Sequence, residues 1–82
     1  YLFVHAGLIP GLEPAKQKMD DLVWVRGDFI DSSYDFGKIV VFGHTRFGRP
    51  LIEKNKIGID TGAVYGAQLT CIELPAKIIY QA

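Results

Sequence analysis

The chain has 82 residues, nine of them basic and nine acidic, so its formal net charge is zero. That balance removes any general electrostatic attraction to nucleic acid or to an anionic membrane surface, and no apolar run approaches the ~18 residues of a membrane span. The single cysteine, Cys71, forms no internal disulfide, which makes a reducing, cytoplasmic setting the expectation.

The first element is an apolar strand over residues 1–5, ending on His5. Because the chain opens on Tyr1 inside that strand and its only methionine is Met19, it is expected to be a piece of a larger protein whose sheet partners lie upstream. A Gly/Pro loop runs through Gly11. Pro14 stands where a helix can begin, since the amide donor it lacks is not needed in a first turn. From Ala15 to Val25 the apolar positions Met19, Leu22, Val23 and Val25 suit one broken helix or two short ones, and Trp24 is expected in the core. Residues 28–37, rich in Asp, Ser and Gly, read as a connector. Residues 38–43 form the strongest strand, a β-branched run entered from Gly37 and delivered to His44. Leu51-Ile52-Glu53 suits a short extended piece, and further strands are expected over 56–60, 68–74 and 76–80. The short Ala63–Ala67 connection fits antiparallel neighbours, and Cys71 reads as a small buried residue. One structural unit of class α/β results, predominantly β.

The chemistry lies at the strand ends. In α/β proteins ligands gather at the carboxyl ends of strands, and three apolar runs here finish on His5, on His44 and on Asp60-Thr61-Gly62. A lone histidine is ordinarily a hydrogen-bonded structural residue. Two at equivalent strand ends have no packing reason to recur, and they point to one site assembled from distant segments. Their spacing excludes a zinc finger, and two imidazoles alone hold a divalent ion poorly, so further ligands are expected upstream. Arg26 is suited to grip a phosphate with two parallel hydrogen bonds, or else to pair with Asp28 or Asp31. Arg46 and Arg49 flank the turn after His44 and can line the same mouth or remain solvated. Tyr65 projects from a turn as a substrate contact or as a lid over the core. Asp60-Thr61-Gly62 also matches the catalytic tripeptide of aspartic proteases, whose paired aspartates share a proton. Too little chain follows it to complete that fold.

Phe3-Val4-His5-Ala6-Gly7, Leu22-Val23-Trp24-Val25-Arg26, Val41-Phe42-Gly43-His44-Thr45 and Ile59-Asp60-Thr61-Gly62-Ala63 stand in the order found in calcineurin-like metallophosphoesterases. More narrowly, the chain resembles the bacterial and phage serine/threonine protein phosphatases and the related diadenosine tetraphosphatases. The resemblance implies a layered β-sandwich flanked by helices, of which residues 1–82 would be the C-terminal part of a single domain. It makes His5 and His44 ligands of one metal, Arg26 and Tyr65 substrate contacts, and Asp60 and Thr45 supports of the neighbouring ligands. The implied cofactors are two divalent ions, with manganese preferred and iron, zinc or nickel allowed, about 3.5–4 Å apart and activating water for in-line attack on phosphorus. The implied partner is a phosphorylated protein or a small phosphoester, with serine/threonine phosphatase activity the leading expectation. Dinucleoside polyphosphate hydrolysis and a non-catalytic phosphoesterase scaffold are the alternatives. The family's Gly-Asp-x-His, Gly-Asp-x-x-Asp-Arg-Gly and Gly-Asn-His-Glu elements are absent from these residues, so the segment alone is expected to be inactive.

Overall fold

The computed structural model describes residues 1–82. Its frame is a four-stranded sheet in the order β1-β2-β4-β3, built from β1 (Leu2–Phe3), β2 (Val40–Phe42), β3 (Leu51–Ile52) and β4 (Lys56–Gly58). β2 lies in the middle, parallel to β1 on one side and to β4 on the other. β3 closes the far edge antiparallel to β4. All three residues of β2 are buried. This is why Val40-Val41-Phe42 is continuously apolar: a parallel strand covered on both faces has no solvent side to alternate toward.

Between β1 and β2 the chain forms a short 3-10 turn at Pro14–Lys16, then α1 (Met19–Trp24) and α2 (Gly27–Ile30). α1 and α2 are too short to persist by propensity alone and are held by packing. Side chains alternate across a strand, so Val40 and Phe42 share one face. There they meet Leu8 and Phe29 in the buried core, with Leu22, Val25 and Phe36 packed around them. The Phe29 and Phe42 rings meet edge to face at 5.0 Å. Lys56 lies in β4 with its side chain 1 % exposed. Its ammonium donates to the carbonyls of Ile30 and Ser32, just where α2 ends, a place where backbone carbonyls lack intrahelical partners.

A separate antiparallel pair, β5 (Thr70–Glu73) and β6 (Ile78–Gln81), follows. The Thr61 hydroxyl donates to the Gln68 carbonyl at 2.6 Å and lies 2.6 Å from the Thr70 hydroxyl, tying the end of β4 to the start of β5. No helix is long and apolar enough to cross a membrane.

Most expected elements are present but shorter, and four readings need correction. The 28–37 connector contains part of α2, whose Phe29 is 1 % exposed; a single buried aromatic anchors it without any periodic pattern. The Ala63–Ala67 connection does not join antiparallel neighbours: β4 and β5 lie in different sheets, and the segments between them pair through an isolated parallel bridge between Gly62 and Gln68. Cys71 is exposed, because β5 pairs with β6 alone and one of its faces meets solvent. Trp24 is 67 % exposed, at the C-terminal end of α1 beside a histidine ring. At the opposite margin, β1 pairs only with β2, leaving its outer edge open and Phe3 70 % exposed. A hollow of about 260 Å³ beside it is lined by Phe3, Val4, His5, Val41 and Ile59 among others.

Candidate active site at the strand ends

β1 and β2 run parallel, so their carboxyl ends deliver His5 and His44 to the same side of the sheet. The backbone fixes their separation. Val4 N–H donates to the Val41 carbonyl at 3.1 Å, and Gly43 N–H to the His5 carbonyl at 2.8 Å, which extends the pairing past the strands proper. The two imidazole centroids are 5.0 Å apart, with the ring planes inclined at 56°.

His44 occupies an unusual backbone position. Its φ is 67°, and Thr45 N–H donates back to the Gly43 carbonyl at 2.7 Å, so His44 is the centre of a γ-turn. That turn is rare and strained for a residue with a side chain, and such strain concentrates at functional sites. Its Nε2 is buried and has no hydrogen-bond partner. Buried polar atoms are nearly always paired. The Trp24 indole meets the His44 ring edge-on at 5.5 Å and fixes its orientation. Burial lowers the His44 pKa below the ordinary histidine value; the positive charges of Arg26 and His5 act the same way and Asp60 opposes them. The shift favours the neutral imidazole, the form that binds a cation.

The remaining candidates distribute around this pair. Arg26 is exposed, immediately before α2, and makes no ion pair with Asp28, Asp31 or any other acid; its charge is felt at His44. Asp60 Oδ1 accepts the Gly62 N–H at 3.0 Å and its carbonyl accepts Phe47 N–H at 2.9 Å, so it shapes both the loop after β4 and the one after β2. Thr45 does not support a ligand through a hydrogen bond: its hydroxyl is buried and unpartnered. Tyr65 is 74 % exposed and lies under the Arg46 guanidinium at 4.7 Å, so it is not a lid over the core. Arg49 is exposed and unpaired. Trp24 is the site residue that reading for core positions missed, although its place two residues before Arg26 was the available signal. Two larger hollows, of about 320 and 450 Å³, involve Lys54 and Asn55 before β4 and contain none of these side chains.

The donor set fits part of a metal centre. Two imidazoles on one ion, each nitrogen about 2.0–2.1 Å away, bring their centroids to roughly 4.5–5.2 Å, the separation observed. The orphaned Nε2 of His44 supplies a donor with nothing else to bind. No group of three His, Cys, Asp or Glu side chains gathers anywhere in the chain.

No family model matches the sequence. Two curated proteins do, both named asymmetrical bis(5'-nucleosyl)-tetraphosphatase PrpE. The protein from Anoxybacillus flavithermus is 37 % identical over 73 residues, which is 89 % of this chain and 27 % of that protein. The one from Bacillus velezensis is 43 % identical over 51 residues, 62 % of this chain and 20 % of that protein. The chain thus spans about a quarter of the length of the relatives it matches. Among solved structures, that of a protein provisionally described as a diadenosine tetraphosphatase superposes with a TM-score of 0.77 at 23 % identity, covering 95 % of this chain and 44 % of the other. The fold is therefore that of the corresponding part of that structure, and it removes the reading of Asp60-Thr61-Gly62 as half of an aspartic protease.

Proposed function

We propose that this chain forms the C-terminal part of the active site of a metal-dependent phosphohydrolase that splits dinucleoside tetraphosphates into unequal nucleotides. The observation that carries the reading is the pair of imidazoles at adjacent parallel strand ends, 5.0 Å apart, one of them with a buried and unpartnered nitrogen. The names of both curated relatives favour a dinucleotide over a phosphoprotein substrate, which ranks the serine/threonine phosphatase expectation second. The retained Arg26, free of acidic partners, argues against a scaffold that has lost catalysis.

Bound divalent ions would polarise phosphate oxygens and lower the pKa of the attacking water. His5 and His44 would hold one of them. Trp24, packed against His44, keeps that ring in register, and burial shifts it toward the neutral form. Arg26 presents a planar fork that matches two phosphate oxygens and strengthens as negative charge gathers on them in the transition state. Water adds to phosphorus as the P–O bond to the leaving nucleotide breaks. The ligands not found among these residues would come from chain that docks along the open edge of β1, where Phe3 and its neighbouring hollow present an uncovered apolar surface.

The test uses the intact protein with diadenosine tetraphosphate, in manganese and in chelator, beside His44→Asn. Metal-dependent release of unequal nucleotides, lost in the variant, is the expected result. A folded, metal-loaded protein that leaves the dinucleotide untouched, while cleaving a phosphopeptide, would overturn the substrate assignment. Inactivity on both would overturn the enzyme.

A further inference from the structure

Two side chains outside the imidazole pair are built into one exposed unit. Arg46 lies two residues beyond His44, in the loop that leaves β2. Tyr65 ends the 3-10 turn Ala63–Tyr65 in the loop that leaves β4, the neighbouring parallel strand. The guanidinium carbon of Arg46 sits 4.7 Å from the centroid of the Tyr65 ring. Both residues are exposed, and Tyr65 keeps 74 % of its surface open to solvent. A large aromatic left so open is ordinarily mobile. This one is fixed from below.

The fixing begins at Gly62. A Cβ there would lie 2.7 Å from Cδ of Arg46 and 3.3 Å from its Cγ, and the residue has a φ of 86°. The arginine stem therefore lies directly on the Gly62 backbone, in space that any other residue would fill. From Gly62 the turn is closed by three bonds: Tyr65 N–H and Ala67 N–H both donate to the Gly62 carbonyl, at 2.9 and 3.1 Å, and Gly66 N–H donates to Ala63 at 3.0 Å. Asp60 Oδ1 holds Gly62 N–H, and Thr61 ties the loop to Gln68. Phe47 N–H on the Asp60 carbonyl joins the Arg46 loop to the Tyr65 loop. The stack is thus preorganised, cationic on one side, open on the other, and mounted on the loops after β2 and β4, the first of which also carries His44.

We infer that the Arg46–Tyr65 stack is a nucleobase platform, taking a purine face of the nucleotide whose phosphates reach the imidazole pair. This inference rests on the phosphohydrolase reading above and names the part of the substrate that reading leaves unplaced. A base needs no hydrogen-bond code to be held this way, because its π-face stacks on a phenol or a guanidinium whatever its edge carries. Fixing the platform in advance avoids most of the ordering cost of binding. Arg46 also brings positive charge toward the first phosphate of the nucleotide.

The platform makes a prediction that a general phosphate site does not. In the intact, manganese-loaded protein, calorimetric affinities for ATP and for inorganic tripolyphosphate are compared across Tyr65→Leu, Tyr65→Phe and Arg46→Ala. Loss of one base stack corresponds to about 5- to 150-fold in affinity. Tyr65→Leu is expected to raise the ATP-to-tripolyphosphate ratio of dissociation constants by that factor, and Tyr65→Phe, which keeps the ring, to restore it. Arg46→Ala should raise the ratio less and weaken both ligands. An equal loss for both ligands in Tyr65→Leu, or no loss for either, would overturn the platform. Failure of the wild-type protein to cleave diadenosine tetraphosphate would instead overturn the activity, while a ring-dependent preference for ATP would still establish the platform.

Discussion

Replacing Gly7 by alanine tests whether the two sides of the site are held by one contact. Gly7 follows His5-Ala6 at the turn out of β1 and has a φ of 148°. A Cβ at that position would lie 2.4 Å from Cδ2 and 2.5 Å from Cγ of Phe29. The phenyl ring has nowhere to retreat: it is 1 % exposed, packed edge-on against Phe42 at 5.0 Å, with Phe36 at 6.4 Å and the Lys56 ammonium at 4.9 Å. The backbone conformation costs a non-glycine residue about 1–3 kcal/mol, and forcing a methyl into a packed core adds about 1–3 kcal/mol. Gly7→Ala should therefore lower stability by about 2–6 kcal/mol. Gly11 supplies the comparison: it also has a positive φ, 83°, but a Cβ there meets nothing within 4 Å, so Gly11→Ala should lose only the backbone share, about 1–2 kcal/mol. Urea denaturation of the intact protein reads both variants. Because Phe29 belongs to α2, which follows Arg26 directly, Gly7→Ala should also depress kcat/KM by displacing Arg26 relative to His44, where its charge is felt. Equal losses of stability in the two variants would refute the close packing of Gly7 on Phe29.

Two further substitutions probe the supports of Arg26 and the arginine itself. Lys56→Met strips the carbonyls of Ile30 and Ser32 of their donor and should cost about 1–3 kcal/mol. Burial holds the Lys56 pKa below its ordinary value, against the opposing pull of Glu53 and Asp31. The unfolded chain therefore binds the proton more tightly, and wild-type stability gains as pH rises through the folded pKa toward about 10.4. The gap to Lys56→Met should widen over that range in denaturation curves; a narrowing gap would contradict the sign. Arg26→Ala should lower kcat roughly 10²–10³-fold with little change in the unfolding midpoint, since the side chain is exposed and unpaired; Arg26→Lys keeps the charge but loses the fork and should recover only part of the rate.

What could be read before the structure was whatever a single strand or motif encodes. Val40-Val41-Phe42 announces a doubly covered strand by itself, and a histidine directly after such a run is placed by the strand and by nothing else. The strand-end positions of His5 and His44 were legible for that reason. The features that escaped depend on partners far along the chain. α2 exists because one aromatic, Phe29, fits under Gly7 and against Phe42, and a lone aromatic leaves no period to detect. Lys56 looks like a polar interruption of β4 until the end of α2 is seen to present two carbonyls to it. Tyr65 gave no hint of Arg46, since only the adjacency of β2 and β4 brings their following loops together. Trp24 was misplaced because bulk and apolarity favour burial on average, whereas its neighbour is the His44 ring at a solvent-facing edge.

The γ-turn at His44 ties the backbone to the chemistry and can be separated from it. A side chain at a φ of 67° costs about 1–2 kcal/mol relative to glycine, a cost the fold has retained at the very residue whose Nε2 lacks a partner. His44→Gly and His44→Ala both remove the imidazole, together with its contacts to Trp24 and His5, and differ from each other only in tolerance of this backbone. In an ordinary extended or helical position glycine is the less stable of the two by roughly 0.5–1 kcal/mol. Here the order should invert, with His44→Gly the more stable in chelator by about 1–2 kcal/mol. Adding manganese should raise the wild-type unfolding midpoint, because a ligand bound only by the folded state stabilises it, and should raise it less in both variants, which lose a ligand of one ion. If alanine proves at least as stable as glycine, the turn is not strained as described. If the variants respond to manganese as the wild type does, His44 is not a ligand, whatever its backbone costs.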